Sequence, residues 1–157
     1  MKRLAGKFTF GIAAALFCIL LSGCVYQVPI TASPTRKIDE KLLGYWISKD
    51  GQDNITVRKW DDSTYLVSYM GNQLRGFHSD IGGMPFISLQ YIGFAERRYL
   101  YLTWKLSKYG HRLDVRFVSE KVIPRTIKDS AELQRLLKDN LHNPELFGPE
   151  LQYTKSP

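Results

Sequence analysis

Arg98-Tyr99-Leu100-Tyr101-Leu102-Thr103-Trp104-Lys105-Leu106 alternates with period two. Leu100, Leu102, Trp104 and Leu106 fall on one side, and Tyr99, Tyr101, Thr103 and Lys105 on the other. That is the repeat of a β-strand, where successive side chains point to opposite faces. Downstream, Arg112 to Ser119 alternates again, with Leu113, Val115 and Phe117 opposed to Arg112, Asp114 and Arg116. The Tyr109-Gly110 pair between the two runs makes a turn, so they read as an antiparallel hairpin with one wetter face.

Upstream the pattern continues in short pieces. Leu42 to Ser48, Ile55 to Trp60, Thr64 to Met70, Gln73 to His78 and Phe86 to Ile92 are strand candidates. Turn residues separate them: Asp50-Gly51, Asp61-Asp62-Ser63, Gly71-Asn72, Gly82-Gly83 and Gly93. After the last long strand the period changes to that of a helix over 129–141. Asp129 is placed to cap it, with Glu132 three residues on, and Leu133, Leu136, Leu137 and Leu141 make an apolar stripe. Asn143-Pro144 stops the helix, and Leu151-Gln152-Tyr153-Thr154 reads as a short last strand. The chain is therefore mainly β. About eight short strands form one antiparallel up-and-down barrel or highly curved sheet, with one C-terminal amphipathic helix over a mouth or along the wall. An open sheet plus helix is the alternative.

The other end of the chain has a different character. Lys2, Arg3 and Lys7 precede a nearly continuous apolar run, Phe8 to Leu21. A basic n-region and a short apolar core are the marks of an export signal, and the run is short of the ~20 residues a membrane span needs. The run ends in Leu21-Ser22-Gly23-Cys24, which resembles the bacterial lipobox. The resemblance implies cleavage before Cys24 and a covalent lipid on its thiol. It implies Val25 as the following residue, where an aspartate would commonly retain a lipoprotein at the inner membrane. The expectation is thus a lipid-anchored envelope protein, on the periplasmic face of the outer membrane if the organism has two membranes. Residues 1–23 are read as signal, 24–37 as lipidated cysteine and flexible tether, and 38–157 as the β domain. Pro29 and Pro34 support the tether reading.

Of 157 residues, 22 are Lys or Arg and 15 are Asp or Glu. Three of the basic ones lie in the signal, so the remainder carries a formal +4. The basic residues are scattered, without the stripe or cluster of a nucleic-acid binder. Cys18 and Cys24 are the only cysteines, so the body has neither disulfide nor thiol nucleophile. His78, His111 and His142 are too far apart in sequence to read as a metal set. His78-Ser79-Asp80 is the one polar cluster that invites a hydrolase reading, and no G-x-S-x-G accompanies it. No catalytic residue and no metal ligand is assigned.

Gly44-Tyr45-Trp46 matches the G-x-W of the first lipocalin strand, and the helix before a final strand is similar to lipocalin order. The body resembles a compact lipocalin- or calycin-like domain of the kind found in small bacterial lipoproteins. This implies that Trp46 packs at the closed end of a barrel, and that the barrel has room for a small apolar ligand. The residues offered for contacts with a ligand or an envelope protein are Tyr99, Tyr101, Arg97, Arg98 and His78. The two tyrosines would line the interior if the leucine face lies outside under the helix, or form an exposed aromatic patch. The alternative function is a filled barrel acting as a structural or interaction module; a small hydrolase is the third.

Overall fold

The computed structural model describes residues 25–156. Eight strands follow one another around a single closed antiparallel barrel: β1 (Gly44–Ser48), β2 (Asn54–Lys59), β3 (Thr64–Tyr69), β4 (Asn72–His78), β5 (Phe86–Tyr91), β6 (Tyr99–Leu106), β7 (Arg112–Phe117) and β8 (Leu151–Lys155). Closure is made by β8 returning to β1, with Trp46 opposite Lys155 and Ile47 opposite Thr154. Among the described residues no edge strand is left with unpaired backbone groups, which answers the aggregation hazard of a β-rich chain. One helix, α1 (Ser130–Asp139), lies in the long β7–β8 connection. The Asp129 carboxylate accepts from the Glu132 backbone N–H at 3.0 Å, so the cap read from the sequence forms.

The alternation of β6 sets the two faces of the wall. Leu102 and Trp104 point into the bore with Val67, Leu74, Leu89, Leu113 and Val115. Gly76 faces the same way, and a Cβ there would come within 2.7 Å of Leu89 Cδ2. Tyr99 and Tyr101 point outward, yet they are buried at 4% and 1% exposure. They belong to a second apolar cluster outside the barrel, with Ile30, Leu133, Leu137 and Leu146. The helix therefore packs along the wall through its leucine stripe, over the tyrosine face of β6. Fully burying Leu133 and Leu137 contributes about 1.5–3 kcal/mol each.

The other half of that cover is the segment expected to be a free tether. It is docked instead. Tyr26 exchanges backbone hydrogen bonds with Tyr99 at 2.9 and 2.8 Å, continuing the sheet beyond the end of β7. Ile30 is fully buried, and its N–H donates to Ser88 Oγ at 3.1 Å. The Pro29 carbonyl accepts from Ser130 Oγ at 2.7 Å, the Ile30 carbonyl from Gln134 Nε2 at 2.9 Å, and the Val28 carbonyl from the Tyr101 hydroxyl. The prolines are tolerated because the N–H groups that the strap uses belong to Tyr26, Ile30 and Thr35, while Pro29 contributes a carbonyl, which proline keeps. The strap climbs the wall from the β6 start to the β4 end, where Thr35 N–H meets the His78 carbonyl at 2.9 Å.

Candidate functional site

The two ends of the barrel differ. The end holding the β1 start and β4 end is plugged by Ile38, Leu43 and a 3-10 turn, Glu40–Leu42, packed on Trp46. Trp46 is wholly buried, and its indole N–H donates to the Leu42 carbonyl at 2.8 Å. The Lys155 ammonium sits 5.1 Å from the Trp46 ring and donates to the Lys41 carbonyl at 2.9 Å. Gly44 enters the strand at φ 139°, a left-handed value glycine accepts, and a Cβ there would lie 2.7 Å from Lys155 Cε. Both signature residues thus work at the closed end: Trp46 seals it, and Gly44 lets the Lys155 stem pass.

A polar relay lies inside this plug. The Asp39 backbone N–H donates to the Tyr65 hydroxyl at 2.6 Å, and that hydroxyl lies 2.8 Å from His78 Nε2. With the hydroxyl donating onward, Nε2 accepts and His78 carries its proton on Nδ1. Nδ1 is 4.0 Å from Asp80 Oδ1, too long for a direct hydrogen bond; Asp80 Oδ2 pairs instead with Arg36 Nε at 2.9 Å. Arg36 in turn covers the Trp104 ring at 5.8 Å. Burial, and then the Arg36 charge, push the His78 pKa down to about 4, while the nearby Asp39 opposes them weakly. Burial raises the Tyr65 phenol to about 12. His78 is therefore a neutral structural group with no exposed surface. Ser79 projects to the opposite side, where its hydroxyl lies 2.9 Å from Ser88 Oγ and 2.8 Å from Thr31 Oγ1. The His78-Ser79-Asp80 run does not make a serine–histidine pair.

This burial has a pH consequence. The unfolded chain takes up a proton at His78 near pH 6.5, and the folded protein only near 4. Stability is full above about pH 6.5 and falls as the pH drops toward 4, by roughly 2–3 kcal/mol from this group. Thermal melts from pH 7 to pH 4 should show the loss, and His78→Gln should flatten it. An equally steep profile in the variant would remove His78 as the cause.

The opposite end is the mouth. Ile55, Tyr69, Tyr91, Leu100, Phe117 and Leu151 point inward here and are half-buried, whereas the inward residues of the middle are buried. Below the mouth lies a cavity of about 70 Å³, walled by hydrocarbon and aromatic groups that include Val67, Leu89, Leu102, Trp104 and Val115. Tyr69 and Phe117 come from strands half a barrel apart, and their rings stack across the bore with centroids 6.4 Å apart. They form a bar over the cavity. Burial and the adjoining Asp53 carboxylate raise the Tyr69 phenol, so it spans the mouth as a neutral group. Sequence reasoning did not single out this pair, because the meeting of residues 69 and 117 depends on closure.

Of the residues offered for contacts, Tyr99 and Tyr101 line neither the bore nor an open patch; the strap and α1 cover them. Arg97 and Arg98 lie on the β5–β6 tip at the mouth, with Arg98 stacked 4.5 Å over Phe94. His78 is at the closed end. The five residues do not form one site. Among the described residues no group of His, Cys, Asp and Glu is placed to hold a metal ion, and no helix is long and apolar enough to cross a membrane.

These features define a closed eight-stranded antiparallel barrel, plugged at one end and carrying a single C-terminal helix, in keeping with a lipocalin- or calycin-like fold in general. No family model, curated protein or solved structure matches the chain.

Proposed function

We propose that this is a non-enzymatic, lipid-anchored protein of the cell envelope whose barrel binds a small apolar molecule. The observation that carries the binding reading is the cavity beneath Tyr69 and Phe117, which offers a ligand only hydrocarbon and aromatic surface. The anchor reading rests on Leu21-Ser22-Gly23-Cys24 directly after the apolar run, which lies outside the described residues. Val25 favours the outer membrane, periplasmic side. A hydrolase is disfavoured by the burial of His78 beneath the plug and by its separation from Ser79.

Size limits the ligand. At about 70 Å³ the cavity is half the roughly 150 Å³ of an apolar void that admits benzene. It takes the end of a chain, and anything larger requires the Tyr69–Phe117 bar to part. The same small volume favours the second reading, a barrel filled by its own side chains that acts by contacting an envelope partner.

Native mass spectrometry of the membrane-extracted protein separates the two. Binding predicts a discrete adduct lost on denaturation, whose release changes the fluorescence of Trp104 in the cavity wall. A bare mass after incubation with medium-chain fatty acids would overturn the binding reading in favour of the filled barrel. Cys24→Ser is expected to release the protein from membranes; unchanged partitioning into detergent would remove the anchor.

A further inference from the structure

We propose that the β3–β4 and β5–β6 tips at the mouth form a second, peripheral contact with the membrane leaflet that holds the anchor, so that the barrel stands mouth-down on the bilayer. This rests on the lipid-anchor reading of Cys24.

Three observations converge on it. The first is where the described chain begins. Tyr26 is bonded to Tyr99, the residue that follows the β5–β6 tip. Cys24 is two residues earlier, and two residues span at most about 7 Å. The bridge is antiparallel, so the chain before Tyr26 comes from along the β6 flank, and a lipid on Cys24 attaches within about 7 Å of Tyr26, on the mouth half of β6; the docked strap leaves no longer spacer to swing the barrel away.

The second is apolar exposure. Met70 is 72% exposed on the β3–β4 tip, and Ile92 and Phe94 are 42% and 46% exposed on the neighbouring β5–β6 tip. The Ile92 N–H donates to the Gln73 carbonyl at 2.9 Å, so the two tips are tied together. Phe94 is held by edge contact with Tyr91 at 5.8 Å and by Arg98 above its other side. These groups are presented outward on supported hairpins, and side chains of this type insert at the headgroup boundary.

The third is charge. Arg97 and Arg98 share the tip with one acid, Glu96, and a basic excess beside apolar groups suits anionic headgroups. On the far side of the mouth rim the β1–β2 connection carries Lys49 with Asp50 and Asp53, so it lacks the basic excess of the β5–β6 tip. The barrel consequently meets the headgroups on its Phe94 side.

Thiol accessibility tests this on the full, processed protein. The lipid consumes the Cys24 sulfur and processing removes Cys18, so an introduced cysteine is the single free thiol. Phe94→Cys, Ile92→Cys and, as a control at the plugged end, Tyr109→Cys are placed in vesicles of phosphatidylethanolamine and phosphatidylglycerol. They are then treated with a membrane-impermeant maleimide. The rim cysteines should react about tenfold more slowly than Tyr109→Cys and recover the control rate in detergent. Rim cysteines that react at the control rate on protein that stays membrane-bound overturn the contact and leave the anchor standing. Protection that survives in detergent assigns the rim to a second copy of the chain and overturns the lipid contact. Parent protein that itself takes up maleimide and washes off the vesicles has a free Cys24, and both readings fail together.

Discussion

Trp46→Ala should lower the unfolding free energy by about 3–5 kcal/mol. The side chain is fully buried at the plugged end, where it meets Leu42 and the inner faces of the wall. Truncation leaves a void that the strands cannot collapse into, since β1 is held on both sides by β2 and β8. It also strips the Leu42 carbonyl of its indole donor and the Lys155 ammonium of its aromatic face. Trp46→Phe keeps most of the ring and loses the hydrogen bond, and should cost about 1–3 kcal/mol. Urea titration checks the pair: the midpoint should fall in that order with little change in slope. A midpoint near the parental value for the alanine variant would refute the seal.

The barrel wall was legible because antiparallel strands write their faces into the sequence. The β6 and β7 alternations predicted which side chains segregate, and the turns between them predicted the connections. The helix was legible through the Asp129 cap and its leucine stripe. Strand bounds are less so: the apolar run places Leu42 in the first strand, whereas it belongs to the plug turn, because an apolar residue suits a wall and a plug equally. Closure itself was one of three readings, because the β1–β8 pairing joins residues about a hundred positions apart and leaves no local signal.

The placement of Tyr99 and Tyr101 shows a different limit. Alternation separates two faces and does not say which one is the interior. Here both faces are buried, one in the bore and one beneath the strap and helix. A clue was available. The face carrying Tyr99 and Tyr101 is too apolar to meet water, so a second cover was required. Tyr26, Val28 and Ile30 also alternate with period two, the mark of an extended segment with one apolar face. Pro29 and Pro34 hid this, because they read as breaks in a ladder although the N–H groups the strap donates belong to Tyr26, Ile30 and Thr35. The candidate site was illegible for a related reason. A 70 Å³ cavity is the small remainder of packing by large side chains, and neither composition nor spacing reports it.

Ile30→Asp should detach the strap. Ile30 has no exposed surface and sits between the wall and α1, with Leu133 and Leu137 in the same cluster. A carboxylate there would have to shed its water among Leu133, Leu137 and the apolar wall, at a cost of several kcal/mol. The chain has a cheaper course, which is to release residues 26–35 and leave the barrel closed. The penalty is then capped at what docking contributes: burial of Tyr26 and Ile30 at about 1.5–3 kcal/mol each, less the entropy regained by the freed backbone. Hydrogen exchange resolves the outcome by position. The N–H groups of Tyr26, Ile30 and Thr35, bonded to Tyr99, Ser88 and His78, should lose protection, while those of β2 and β3 keep theirs. Tyr101 should become reactive to water-soluble tyrosine reagents, because the strap covers it. A freely moving tether predicts no change at any of these positions, since its amides would exchange rapidly in the parent protein. Rapid exchange at Ile30 and Thr35 already in the parent protein would therefore return the segment to a spacer and free the barrel from the membrane-proximal geometry that its docking imposes.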